Sequence, residues 1–178
     1  LSGYMKEHTV VVNGMSKSYS MTGWRIGYLA APSDIAKAVS SMQSHTTSNA
    51  CSIAQYASVA ALTSDESNKF IENMQKTFDE RRKYMVKTLQ ETKGIVLPEP
   101  KGAFYVFADV SAYYGKKFAG EEVKDSLSFA NLALKKGVAV VPGAAFGDDN
   151  CIRLSYAISL EDVKEGLKRL KEFLAELK

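Results

Sequence analysis

Lys17 lies in a ten-residue stretch, 14–23, crowded with serine, threonine and glycine and without a hydrophobic period. Its amine can add to a carbonyl carbon and afterwards carry a proton, although a lysine in a polar loop is ordinarily a solvated charge. Two neighbouring features argue for more. Residues 9–12 and 24–30 are apolar and strand-like, so the loop between them is expected to hold its lysine between two buried strands. Arg25, eight residues beyond Lys17, falls inside the second of those strands, where an unpaired guanidinium is costly and an anion is needed. Near the other end, residues 151–157 alternate as a strand does, with Ile152, Leu154 and Tyr156 on one face and Arg153 and Ser155 on the other. Taken alone, Arg153 reads as an edge-strand arginine in a surface salt bridge.

The elements that must position these residues can be read from pattern. The strand at 9–12 runs into a turn at Asn13-Gly14. Pro32-Ser33-Asp34 opens a helix carrying Ile35, Val39 and Met42 at helical spacing, and 44–51 is a second polar, turn-prone stretch. Residues 53–62 suit a small-residue helix. From 66 to 93 the period is strongly helical, with Phe70, Met74, Phe78, Met85 and Leu89 on one stripe and Gly94 as the expected C-cap. A helix of about 27 residues spans on the order of 40 Å, which suits a connector between domains. Beyond it, strands are expected at 104–110, 138–141 and 151–157, with a helix at 125–136 that ends at Gly137. A capping-box pattern at 159–162 opens a last helix bearing Val163, Leu167, Leu170, Leu174 and Leu177 on one face.

Composition narrows the function classes. The 178 residues are 46% hydrophobic and 24% charged, the balance of an ordinary globular protein. A net charge of +3, from 23 basic and 20 acidic residues, is too small for a nucleic-acid partner, and no apolar run reaches the length of a membrane span. Cys51 and Cys151 are far apart and expected to be buried apolar residues; His8 and His45 are isolated, so no metal site is expected. Sparse cysteine fits a reducing, cytoplasmic setting. The chain opens at Leu1 rather than methionine, and segments upstream are expected to be missing.

The run Ser16-Lys17 through Met21-Thr22-Gly23-Trp24-Arg25-Ile26-Gly27-Tyr28 resembles the cofactor-lysine motif of class I and II aminotransferases. The resemblance covers essentially the whole chain and implies an α/β fold. That fold is the C-terminal part of a fold type I transferase dependent on pyridoxal 5'-phosphate. It comprises the end of the large-domain mixed sheet (1–65), a connecting helix (66–93) and a small α+β domain (94–178). It implies that Lys17 forms a Schiff base with the pyridoxal aldehyde and that Arg25 binds the phosphate, helped by Ser16. Many relatives carry serine or threonine three residues before the lysine; here Gly14 stands there. Arg153 matches the arginine that holds the substrate carboxylate. Phe104, in Pro100-Lys101-Gly102-Ala103-Phe104-Tyr105, stands near the bound ligand in the family, a core aromatic being the competing reading. The loop 141–147 is assigned shape rather than chemistry, and 44–51 resembles a loop that approaches the partner's cofactor in family dimers.

The implied reaction of the parent protein is amino-group transfer between an amino acid, aspartate for preference, and a 2-oxo acid. Alternatives are an aromatic, alanine or kynurenine aminotransferase, and a non-catalytic regulatory or structural domain that binds pyridoxal phosphate or merely keeps the fold. The parent is expected to be a homodimer. Relatives supply an aspartate, a tyrosine, an asparagine and a glycine-containing phosphate loop upstream of the lysine, and nothing in residues 1–8 fills those roles. The isolated chain is therefore expected to be inactive, with exposed strand edges that invite self-association.

Overall fold

The computed structural model describes residues 2–178, and the chain divides into two compact units between Met74 and Gln75. The first unit begins with a short helix α1 (Gly3–Glu7) and a strand β1 (Val11–Gly14), followed by a single helical turn α2 (Met15–Ser18). Strand β2 (Gly27–Ala30) returns antiparallel to β1, with Gly14 opposite Gly27. The two glycines let the backbones close up: a Cβ on Gly14 would stand 3.2 Å from the Ile26 carbonyl oxygen, and one on Gly27 3.3 Å from that of Asn13. Helices α3 (Ser33–Thr46) and α4 (Ser52–Thr63) follow.

Both strands were expected to be buried, and here the structure corrects the expectation. Val11 is 49% and Val12 77% exposed, and Tyr28 is 48% exposed. A two-stranded ribbon has no second layer of its own to cover its faces, so β-branched composition makes a strand without burying it. β2 is also shorter than 24–30, because Trp24 closes a 3-10 turn and Arg25 adopts a left-handed conformation. The helical spacing of Ile35, Val39 and Met42 does give a helix, yet α3 buries nothing. Cys51, expected inside, is exposed, whereas Cys151 is buried.

Helix α5 (Asp65–Gln90) is the long helix that the period predicts. Ser64 starts it, its hydroxyl accepting the Ser67 N–H at 3.1 Å, and Asp65 and Glu66 complement the positive end of the helix dipole. The two compact units divide within this helix, and its stripe is not uniformly buried: Phe70 is 52% exposed, while Met85, Val86 and Leu89 are core residues of the second unit. Gly94 does not cap it. The helix has already ended at Gln90, and Gly94 takes its left-handed φ of 87° in the turn beyond, against the Tyr113 ring.

The second unit has its own core. A three-stranded antiparallel sheet runs in the order β3-β7-β6; β3 is Tyr105–Asp109, and a small hairpin of β4 (Lys117–Phe118) and β5 (Glu121–Glu122) follows it. Helix α6 (Ser126–Lys135) has a complete capping box between Asp125 and Ser128. It ends in a Schellman motif, the Gly137 N–H bonding to Leu134 O at 2.8 Å and the Val138 N–H to Ala133 O at 3.1 Å. That second bond explains why the strand expected at 138–141 shrinks to β6 (Val141–Pro142), since the Val138 donor is spent on the helix end. Strand β7 (Cys151–Ser155) lies between β3 and β6, and helix α7 (Leu160–Glu176) completes the unit. Val163, Leu167, Leu170 and Leu174 are buried along α7, as the heptad-like spacing requires, and Leu177 just beyond it is buried as well. Phe173 joins them, its ring 5.3 Å from Phe129 edge to face. Val106, Ala108, Ile152 and Leu154 form the core face of the sheet.

Candidate active site

The turn bearing Lys17 is built by backbone bonds rather than by flanking buried strands. The Met15 N–H donates to Ile26 O at 3.1 Å, one step beyond the Gly14–Gly27 pairing, and so closes the loop at its neck. Lys17 stands two residues past that bond and Arg25 one residue before it, so both belong to the same small closed loop. Met15, fully buried, and Met21, 8% exposed, are the side chains that anchor it. Sequence pattern assigned neither an anchoring role, although apart from Tyr19 they are the only large apolar residues between 14 and 23. Ser20 adds a hydroxyl donated to the Met74 sulfur at 3.1 Å.

Lys17 itself is exposed on α2, and Ser16 beside it is half-buried. Arg25 is exposed too, which corrects the expectation of a guanidinium sunk in an apolar strand. Its backbone takes φ 54° and ψ 46°, a conformation uncommon for a residue with a side chain, and one guanidinium nitrogen donates to Thr22 O at 3.0 Å. No carboxylate among the described residues forms an ion pair with it. Arg25 lines a cleft of about 430 Å³ with Gly23, Trp24, Cys51, Ile53 and Ala54. An arginine on a concave wall, bonded to one carbonyl and to no acid, is a ready partner for an anion.

Arg153 and Phe104 lie in the second unit. Arg153 sits in the middle of β7, opposite Phe107 of β3 on one side and Val141 of β6 on the other. Its guanidinium carbon is 4.3 Å from the centre of the Tyr105 ring and 4.2 Å from that of Phe146. The fork is thus stacked against two aromatic rings and, among the described residues, pairs with no carboxylate. The surface salt bridge that sequence alone allowed does not form among the described residues. Tyr105 comes from the strand that Phe104 introduces, and Phe146 from a 3-10 turn, Gly143–Phe146, inside the loop to which the sequence assigned only shape. Phe104 packs on Tyr105 at 4.3 Å between ring centres and on Phe78 at 6.4 Å, so it is an aromatic partly buried against the core. Two residues from Arg153, burial pushes the Cys151 thiol up to about 11, and Asp148 beside it acts in the same direction. A thiol in that state is not a nucleophile at neutral pH.

Among the described residues no group of histidine, cysteine, aspartate and glutamate is arranged to hold a metal, and no helix is long and apolar enough to cross a membrane.

The profile of the family Aminotransferase class I and II matches residues 1–170. A Petunia hybrida protein, a bifunctional aspartate aminotransferase and glutamate/aspartate-prephenate aminotransferase, is 45% identical over 177 residues, covering 98% of this chain and 37% of the plant protein. The crystal structure of the aspartate aminotransferase from Rhizobium meliloti superposes with a TM-score of 0.92 at 39% identity, over 97% of this chain and 43% of that one. The aromatic aminotransferase from Pyrococcus horikoshii gives a TM-score of 0.89 at 40% identity, over 99% and 45%. The chain thus spans about two fifths of the length of the relatives it matches.

Proposed function

The chain belongs to the class I and II aminotransferases, with the α/β fold of that family, and from this premise we propose that its parent moves an amino group between an amino acid and a 2-oxo acid. The observation that carries the proposal is the Arg153 fork, flanked by two rings and paired with no acid among the described residues, in a chain whose Lys17 and Arg25 share one closed loop. Every amino acid and every 2-oxo acid presents a carboxylate beside the reacting carbon. A bidentate fork that grips it fixes the direction of the bond to be broken.

Pyridoxal 5'-phosphate is the cofactor we propose, and the donor set fits it. Arg25 offers a planar cation, paired with no acid among the described residues, on a cleft wall for a phosphate; Ser16, outside the lining of that cleft, is proposed as a second donor by its place beside Lys17. Lys17 offers a primary amine for the aldehyde. When bound, the cofactor supplies the electron sink that lets the substrate's α-carbon release its proton. Lys17 then carries that proton, Arg153 holds the α-carboxylate, and Phe104 stands beside the substrate. The division into a cofactor-domain segment 1–65, a connector 66–93 and a small domain 94–178 belongs to the same proposal, as do a cytoplasmic, homodimeric parent and an inactive isolated chain. Two unpaired cysteines suit a reducing compartment.

Aspartate is the amino acid we favour, because the plant relative and the Rhizobium structure are both aspartate aminotransferases. The Pyrococcus relative, an aromatic aminotransferase of similar likeness, supports an aromatic substrate as the second reading. The test is borohydride reduction of the parent loaded with pyridoxal phosphate, then peptide mapping and a panel of amino acids with 2-oxoglutarate. A pyridoxyl adduct on Lys17 with turnover of aspartate is expected. An adduct without turnover of any amino acid points to a regulatory domain, and no adduct on Lys17 overturns the proposal.

A further inference from the structure

Arg153 has an unusual support. The loop that delivers Phe146 to it is latched to the start of α6 by a set of hydrogen bonds centred on one buried hydroxyl. Ser126 is fully buried; its hydroxyl donates to Asp149 Oδ1 at 2.6 Å, and its backbone N–H reaches the same oxygen at 3.1 Å. The Ser126 oxygen in turn accepts the Ala144 N–H at 3.2 Å, inside the turn that ends at Phe146. Gly143 brings the two strands of this loop so close that a Cβ would collide with the carbonyl oxygens of Asp148 and Cys151. Tyr114 donates its hydroxyl to Asp149 O, pinning the same segment from another side. Phe146 also rests edge-on against Phe107, 6.2 Å between ring centres.

We propose that Tyr105 and Phe146 are positioning residues that preset the plane of the Arg153 fork for a substrate carboxylate, and that the Ser126–Asp149 latch sets Phe146. The proposal rests on the reading of Arg153 as the carboxylate anchor. An arginine side chain has many rotamers, and freezing them at the moment of binding costs affinity. Two rings on its flat surfaces hold the head group by cation–π attraction while leaving its N–H edge open. A fork held in this way meets its carboxylate with little left to order. Ser126 and Asp149 act through Phe146 and need not touch substrate.

The full-length parent, loaded with pyridoxal phosphate, is assayed as Phe146→Leu, Tyr105→Leu and Ser126→Ala, with Phe146→Tyr and Tyr105→Phe as conservative controls. Each leucine variant is expected to raise KM for both amino acid and oxo acid roughly 2- to 30-fold, the range of a partly desolvated cation–π contact. kcat, cofactor affinity and Tm are expected to stay near wild type, and the two controls to behave as wild type. Ser126→Ala is expected to raise KM in the same sense, and adding it to Phe146→Leu to cause no further loss, since both act on one contact. Unchanged KM in the leucine variants, or control variants as impaired as the leucines, overturns the clamp. Full additivity of Ser126→Ala overturns the latch. A parent without turnover removes the functional reading alone, because the clamp has a second readout in the 178-residue chain. There the Arg153 Nε–Hε proton, assigned by its loss in Arg153→Lys, should show a ring-current shift that Phe146→Leu changes, leaving only the part due to Tyr105. A shift identical in both proteins refutes the clamp whatever the activity.

Discussion

Arg25 and Arg153 illustrate two ways of keeping a guanidinium ready for an anion. Arg25 is exposed, bonded to the Thr22 carbonyl and, among the described residues, to no acid, so its charge is available although it is screened by water. Arg153 is half-buried between rings, where the charge is less screened and the head group is oriented. The consequence differs for substitution. Arg153→Lys in the parent keeps the charge and loses the fork; with charge-assisted hydrogen bonds at stake, KM for aspartate should rise roughly 10- to 100-fold while the cofactor still binds. Arg25→Ala should do the reverse, weakening cofactor retention on dialysis and leaving KM of the fully loaded enzyme much less affected. Substrate kinetics and cofactor titration on the two variants check this pairing, and identical phenotypes would contradict the separate roles.

Among the elements, α6 is closed at both ends, by a capping box at one and a Schellman motif at the other. The Asp125 carboxyl accepts the Ser128 N–H at 2.7 Å, and that bond, followed by the Ser128 side chain, holds its pKa below the ordinary carboxylate value. A carboxyl whose pKa is depressed on folding contributes stability that is present above its unfolded value of about 3.9 and is lost as pH falls through the lower folded value. Asp125→Ala should therefore cost about 1 kcal/mol at pH 7, and the gap from wild type should narrow below about pH 4 in urea melts. The turn before Phe146 sets a harder limit. Gly143→Ala must displace the carbonyls of Asp148 or Cys151, a shift of backbone rather than of a flexible side chain, and should destabilise by about 1–3 kcal/mol. A Tm unchanged in that variant would show that the loop is looser than its contacts imply.

On the scale of the whole chain, the two units differ in what they bury. The second owns a continuous core from Met85 to Leu177, whereas the first leaves Met42, Ile53, Tyr56 and Val59 more than half exposed. Amide exchange of the isolated chain should accordingly be slow along β3, β7 and α7 and fast along α3 and α4. Light scattering should show self-association growing with concentration, through the apolar faces of the first unit. Uniform protection across both units would argue against this division. Much of this molecule was legible in its residues. The spacing of Val163, Leu167, Leu170 and Leu174, the Gly137 stop and the Lys17–Arg25 interval each state a local rule, so α7, the end of α6 and the family motif could be read directly. Local rules say nothing about which distant segments meet. Whether Arg25 is sunk or exposed depends on what covers a two-stranded ribbon. What flanks Arg153 depends on Tyr105 and Phe146, drawn together from separate elements by sheet register and a buried serine. Sequence alone determined the chemical types and the short-range elements; burial and the partners of each charge were decided by tertiary packing, because both are properties of neighbours in space rather than along the chain.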